Sequence, residues 1–124
     1  MSIVGTLPVC AFLAVKDRET AKAFYGGILG LKLQSEDPYG VVFHLNDAAL
    51  RLTPISDFTP LPHTVLGWNV DDVPATVRAL TDSGIVFERY HFLAQDELGI
   101  WTSDGAHVAW FKDPDGNVLS ISNR

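Results

Sequence analysis

Apolar and polar residues follow one another along this chain in the same order twice. In the first occurrence, apolar and polar residues alternate as in a strand up to Asp17, and apolar residues then recur at helical spacing as far as Gly30. In the second occurrence the corresponding residues are Asp72 and Gly84. The two intervals differ by one residue, so a single deletion reconciles them. The pattern therefore predicts a module that has been duplicated within the chain.

Both predicted helices carry residues that start and stop helices. Asp17 and Asp72 can accept hydrogen bonds from the free amides of a first turn, and Pro74 fits in such a turn because it lacks an amide proton. Gly30 and Gly84 can adopt the left-handed conformation that ends a helix. The first helix also has one apolar face, formed by Ala21, Phe24, Tyr25 and Ile28.

Turn residues such as Asp104-Gly105 and Asp113-Pro-Asp-Gly116 separate runs that read as strands. The predicted strands are Val9–Val15, Val41–Leu45, Ala48–Thr53, Val65–Val70, Val86–Tyr90, Gly99–Thr102, His107–Phe111 and Val118–Ser122. A strand, a helix and further strands, twice over, predict an α+β fold with one mixed sheet curled around a cavity. We place the first module at about residues 7–55, a linker with two prolines at 56–62, and the second module at about 63–124.

Four short motifs agree with a known family. They are Val15-Lys-Asp17, Ala23-Phe-Tyr25, Leu29-Gly-Leu31 and Phe111-Lys-Asp-Pro-Asp-Gly-Asn117. Together they resemble the vicinal-oxygen-chelate superfamily of glyoxalases, bleomycin-resistance proteins and extradiol dioxygenases, and the resemblance covers nearly the whole chain. It implies two βαβββ modules whose helices lie on the outside, a ligand cavity lined by the sheet, and a homodimer.

Composition narrows the possible partners. Of the 124 residues, 47% are apolar and 19% charged, which is typical of a globular domain, and the net charge is −6. The bases are scattered, so we expect no nucleic-acid partner. No apolar run approaches the roughly 20 residues that span a bilayer, so we expect no membrane insertion. Cys10 is the only cysteine, which fits a reducing compartment and a cytoplasmic location.

The resemblance also implies four positions at which metal-dependent members hold a divalent ion with His, Glu or Gln. Counted from the shared motifs, these positions fall on Cys10, Arg51, Val65 and Ser120. Val65 offers no donor atom, Arg51 is permanently positive, and Ser120 is a poor ligand, so we expect neither a metal ion nor another cofactor. A shift of these strand positions by two residues would offer His63, Thr53 and Ser122 instead. Of these, His63 is the main argument against the expectation that no metal ion is bound.

Alternation along the strands places Phe12 and Ala14 on the face of Cys10, Thr53 on that of Arg51, and Ser122 on that of Ser120. Trp101 and Trp110 lie on strands expected to flank the cavity, and His44 and His107 are further polar groups there. The candidate ligand-binding residues are Cys10, Phe12, His44, Arg51, Trp101, His107, Trp110 and Ser120. Because such an aromatic lining with a few polar groups is typical of ligand pockets, we expect a metal-free protein that binds a small organic molecule. Two alternatives remain open: a metal-dependent lyase or dioxygenase, and an interaction module whose cavity is filled by side chains. No residue pair has a spacing that identifies a catalytic group, so whether the protein is an enzyme stays open.

Overall fold

The computed structural model describes residues 3–124. The chain divides into two compact units, and the boundary between Phe58 and Thr59 lies inside the predicted linker. In the described residues, no helix is long and apolar enough to cross a membrane.

The first unit is one module with a four-stranded sheet. Its elements are β1 (Val9–Val15), α1 (Arg18–Lys22) continued by a π-helical segment (Ala23–Ile28), β2 (Leu33–Asp37), β3 (Gly40–Leu45) and β4 (Ala48–Pro54). The strand order is β1-β4-β3-β2, with β1 parallel to β4 and the other pairs antiparallel. The helix begins where predicted, because the Asp17 carboxylate accepts a hydrogen bond of 2.8 Å from the Thr20 amide.

The second unit repeats this topology. Its elements are β5 (Thr64–Asn69), α2 (Val73–Asp82), β6 (Trp101–Ser103), β7 (Ala106–Lys112) and β8 (Val118–Ser122). The order β5-β8-β7-β6 matches that of the first sheet, and β5 runs parallel to β8. Asp72 caps α2 through the Ala75 amide at 3.0 Å. The α+β fold of two βαβββ modules is therefore confirmed, with the strands divided into two sheets of four.

The duplication extends to the register of the strands. Phe12, five residues before the capping Asp17, lies opposite Arg51. Gly67, five residues before the capping Asp72, lies opposite Ser120. Arg51 and Ser120 therefore occupy equivalent positions in the two modules, as the counting from the motifs predicted.

Two strand predictions were wrong. Strand β2 was missed because its sequence, LQSED, has no apolar alternation, and four of its five residues are exposed at a sheet edge. The segment predicted as a strand at Val86–Tyr90 forms no strand in the structure. A backbone hydrogen bond from the Glu88 amide to the Trp110 carbonyl at 2.7 Å joins it to the sheet. Val86 is 79% exposed, so the apolar residues of this segment do not mark a paired strand.

One face of each sheet packs against the helix of its own module. In the second module α2 packs on β7 and β8, where Ala109, Phe111 and Leu119 are fully buried. Because side chains alternate along a strand, Trp110 and Ser120 project from the opposite face. That opposite face carries most of the candidate site residues.

Candidate functional site

In the first module, four candidate residues share the sheet face that points away from the helix. Cys10 and His44 are both paired with Ala49, and Phe12 is paired with Arg51, two positions further along β4. Phe12 is 65% exposed, and Cys10 and His44 are also exposed. The alternation of the sequence thus places these four residues together on one face.

The Arg51 guanidinium is already paired. Its two terminal nitrogens lie 3.3 and 3.2 Å from the two carboxylate oxygens of Asp37, a residue of the missed strand β2. Hydrogen bonding from Arg51 is the main cause that lowers the pKa of Asp37 below its ordinary value. Sequence analysis did not anticipate this partner, and an anionic ligand at Arg51 would have to compete with it.

In the second module, three of the four candidates share a face and one does not. Trp110 lies directly opposite Ser120, and Trp101 lies opposite Val108, two residues from Trp110. The Trp101 and Trp110 ring centroids are 6.3 Å apart. His107 lies out of phase with Trp110 and projects from the opposite face, where its Nδ1 is 2.9 Å from the Thr102 hydroxyl.

The donor atoms at the four family positions do not fit a divalent ion. Val65 lies at a bulge in the pairing of β5 with β8, and the residue facing Ser120 across that pair is Gly67, which has no side chain. His63 is exposed, and its Nδ1 atom lies 3.2 Å from the Thr64 carbonyl, so Nε2 is the ring nitrogen that remains for a ligand. Over residues 3–124, no three His, Cys, Asp or Glu side chains cluster as metal ligands do. That the protein works without a metal stays a prediction.

A small cavity, which we call the aromatic pocket, opens beside Trp110. It has a volume of about 220 Å³ and is lined by His63 and Thr64 together with Tyr90, Phe92, Trp110 and Val118. The Tyr90 ring lies 5.7 Å from Trp110, nearly perpendicular to it, and 5.6 Å from Phe92. Sequence analysis identified Trp110 and missed Tyr90 and Phe92, because the segment that carries them was predicted as a strand and a loop without a role.

The Gln95 side chain fixes the segment that carries Tyr90 and Phe92. Its Oε1 accepts a hydrogen bond from the Tyr90 amide at 2.8 Å, and its Nε2 donates to the carbonyls of Glu88 and Gly99 at 2.9 and 2.8 Å. One half-buried amide thereby satisfies three backbone groups that a neighbouring strand would otherwise pair. Partial burial is the main cause that raises the pKa of the Tyr90 hydroxyl above its ordinary value.

A second depression, which we call the polar cleft, runs along β5 and β8 and shares Thr64 with the aromatic pocket. It has a volume of about 340 Å³, and its polar side chains are Thr64, Asn69, Ser120, Ser122 and Arg124. No Asp or Glu side chain lines either depression, although the chain contains 15 acidic residues. Both depressions are therefore free of local negative side-chain charge in spite of the net charge of −6.

Comparisons with known proteins agree with this architecture. The fold is similar to that of a glyoxalase/bleomycin resistance protein from Streptomyces sp. CB03234, with 25% identity, a TM-score of 0.65, and coverage of 92% of this chain and 97% of that one. It is also similar to a lactoylglutathione lyase from Agrobacterium tumefaciens, with 21% identity, a TM-score of 0.68, and coverage of 94% and 92%. A glyoxalase family protein from Enterococcus faecalis has 20% identity, a TM-score of 0.70, and coverage of 98% and 99%.

None of the curated protein sequences matches this chain significantly. The family model described as "Glyoxalase/Bleomycin resistance protein/Dioxygenase superfamily" matches residues 6–121, which is nearly the entire chain. This protein therefore belongs to the glyoxalase/bleomycin resistance protein/dioxygenase superfamily.

Proposed function

We propose that this protein binds a small planar aromatic molecule in the aromatic pocket of its second module and that binding needs no metal ion. The observation that carries the proposal is the continuous wall formed by Phe92, Tyr90 and Trp110 beside the pocket. Aromatic rings contribute large apolar areas and favour edge-to-face or offset contacts with a further ring. A flat ligand would extend this wall by one more ring.

The size and chemistry of the pocket support a ligand of one ring. An apolar cavity of about 150 Å³ holds benzene, so a pocket of about 220 Å³ suits a single substituted ring. The Tyr90 and Trp110 rings line the pocket at 81° to each other, so one of them can stack on a flat ligand while the other contacts the edge of that ligand.

Ligand binding can be tested with 2-phenylethanol and isothermal titration calorimetry. We expect Phe92→Ala to weaken binding at least roughly two- to thirteen-fold, since an aromatic contact contributes about 0.5–1.5 kcal/mol beyond its area. Trp110→Leu should abolish measurable binding. Tyr39→Ala is the matched control, because Tyr39 is 77% exposed and Phe92 71% exposed, and Tyr39 does not line the pocket. Equal affinity of the wild type and the Phe92 and Trp110 variants would contradict the proposal.

The metal-free half of the proposal rests on the side chains present at the family positions, among them Arg51, Val65 and Ser120. None of them supplies a carboxylate or imidazole, the groups that a catalytic lyase or dioxygenase site would use. We expect elemental analysis of the purified protein to find no stoichiometric metal. Calorimetric titrations with Ni²⁺, Zn²⁺, Mn²⁺ and Fe²⁺ should give no tight one-to-one binding. Tight uptake of any of these ions would instead support the metal-dependent enzyme.

We also propose a homodimer in the cytoplasm, on the basis of the family resemblance and of the single cysteine. The chain has a mass of 13.6 kDa, and light scattering coupled to gel filtration should then give about twice that mass. A monomer over the concentration range of the binding experiments would remove the dimer from the proposal. Separation of cell fractions, followed by detection of the protein, tests its location.

A further inference from the structure

We infer that the aromatic pocket selects ligands that carry a neutral hydrogen-bond donor, such as a hydroxyl group, and that the Nε2 atom of His63 accepts the bond from this group. The inference rests on the proposed function and adds a ligand class to it. His63 lines the same cavity as the aromatic side chains Tyr90, Phe92 and Trp110. A ligand in the pocket thus shares one cavity with the imidazole ring and with the aromatic wall.

A hydrogen bond to the main chain fixes the tautomer of the His63 ring. Its Nδ1 atom lies 3.2 Å from the Thr64 carbonyl oxygen. Because a carbonyl oxygen can only accept, the proton of the neutral imidazole resides on Nδ1. Nε2 then carries a lone pair and no proton, so it can accept a hydrogen bond and cannot donate one. A ligand group that bonds to Nε2 must therefore supply the proton.

Among the described side chains around the pocket, that of His63 alone can accept a hydrogen bond without donating one. The Trp110 indole nitrogen only donates, and the hydroxyl groups of Thr64 and Tyr90 can do both. No carboxylate lines the pocket, so a cationic group would find no opposite charge there. The chemistry of the lining thus favours an uncharged O–H or N–H group over an ammonium group.

The backbone on both sides of His63 is restrained. Pro62, which also lines the pocket, has a ring that fixes its own φ angle directly before the histidine. Strand β5 begins at the next residue, Thr64, which pairs with Val118 of β8. The bond at Nδ1 restrains the ring as well. A group held in this way loses less conformational entropy when it binds a ligand.

The test compares three ligands on the full chain by calorimetry at about pH 8.5, where histidine side chains are ordinarily neutral. Ethylbenzene has no polar group, 2-phenylethanol can donate through its hydroxyl, and the methyl ether of this alcohol can only accept. In the wild type all three bind. His63→Leu should weaken 2-phenylethanol roughly two- to thirteen-fold, the effect of one neutral hydrogen bond. The same substitution should leave the affinities for ethylbenzene and for the ether unchanged.

Two further variants complete the design. His63→Gln should retain most of the affinity for 2-phenylethanol, because its amide oxygen can accept the same hydrogen bond. His91→Leu is the matched control, since His91 is also exposed and does not line the pocket. The His91 ring lies against Phe92, with 5.6 Å between the ring centroids, so this variant also reports any disturbance of the aromatic wall. It should change none of the three affinities.

Several results would overturn the inference. If His63→Leu weakens all three ligands equally, the residue supports the pocket without recognising the donor. If it weakens the ether as much as the alcohol, His63 does not act as an acceptor. If Thr64→Val causes the selective loss and His63→Leu does not, the Thr64 hydroxyl is the partner of the ligand.

The failure of the inference can be distinguished from that of the proposed function. If His63→Leu weakens none of the ligands while binding of ethylbenzene still depends on Trp110, the inference fails and the proposed function survives. If no ligand binds the wild-type protein at millimolar concentration, both fail.

Discussion

Replacing Gln95 by Met tests how the aromatic wall is held in place. Methionine has nearly the same length and volume as glutamine but cannot form the three hydrogen bonds to Tyr90, Glu88 and Gly99. A hydrogen bond in a folded protein contributes about 1 kcal/mol net, so the loss of three should lower the free energy of unfolding by about 3 kcal/mol. Urea denaturation followed by circular dichroism measures this change.

Asn123→Leu is the matched control for Gln95→Met. The Asn123 amide also braces backbone groups of the second module, accepting from the His107 amide at 2.8 Å and donating to the Gly105 carbonyl at 3.0 Å. With two bonds lost, we expect a cost of about 2 kcal/mol. The variants should differ locally: Gln95→Met should remove the protection of the Tyr90 amide from hydrogen exchange and weaken ligand binding, whereas Asn123→Leu should do neither.

The reasoning on Gln95 would be refuted if the free energy of unfolding of the Gln95→Met protein lay within about 0.5 kcal/mol of the wild-type value. It would also be refuted if the Tyr90 amide kept its full protection from exchange. Equal losses of ligand affinity in the Gln95 and Asn123 variants would show that both act through global stability alone.

Three further predictions concern the caps, the ion pair and the thiol. Asp72→Ala removes the acceptor for the Ala75 amide and should lower the free energy of unfolding by about 1 kcal/mol, as measured by urea denaturation. The pKa of Asp37 is lowered from 3.8, so the stabilisation by its pair with Arg51 is present above that pH and is lost as the pH falls through the lower folded-state value. Arg51→Gln should therefore raise the Asp37 pKa toward 3.8 in a carboxyl NMR titration, and an unchanged value would contradict the assignment of the partner. Cys10 is exposed, so the native protein should react with one equivalent of a thiol reagent such as Ellman's reagent without added denaturant; reaction only after unfolding would show that the face is covered.

The helices and turns could be predicted because their signals are local. Asp17 and Asp72 cap helices as expected, and Gly84 and Gly116 adopt the positive φ angles of 104° and 92° that their positions required. These features depend on a few neighbouring residues and on backbone sterics. They hold in any tertiary context that lets the helix or turn form.

Strand β2 was not predictable in this way. An exposed edge strand needs no apolar alternation, because its partner supplies the hydrogen bonds and the surrounding solvent accepts polar side chains. The segment at Val86–Tyr90 shows the opposite case. Its apolar residues predicted a strand, but the Tyr90 amide and the Glu88 carbonyl bond to the Gln95 side chain, whose role no local pattern reveals.

The candidate site was predictable to the extent that it follows strand alternation. The period of two correctly grouped Cys10, Phe12 and Arg51 on one face, since β1 and β4 are regular and paired in register. His107 was included as a polar group of the cavity without such an argument, and it projects from the other face because it lies an odd number of positions from Trp110. Tyr90 and Phe92 were missed because they lie outside regular strands, where the sequence carries no periodic signal.

The sequence by itself determined the duplication, the helix ends, the turns and the superfamily, because each is encoded by short stretches with a direct steric or hydrogen-bonding cause. Only the tertiary structure decided that Asp37 pairs with Arg51 and that Gly67 faces Ser120. These contacts join residues that are distant along the chain. They depend on strand register and on a bulge, and a shift of one residue in register would move every side chain of a strand to its other face.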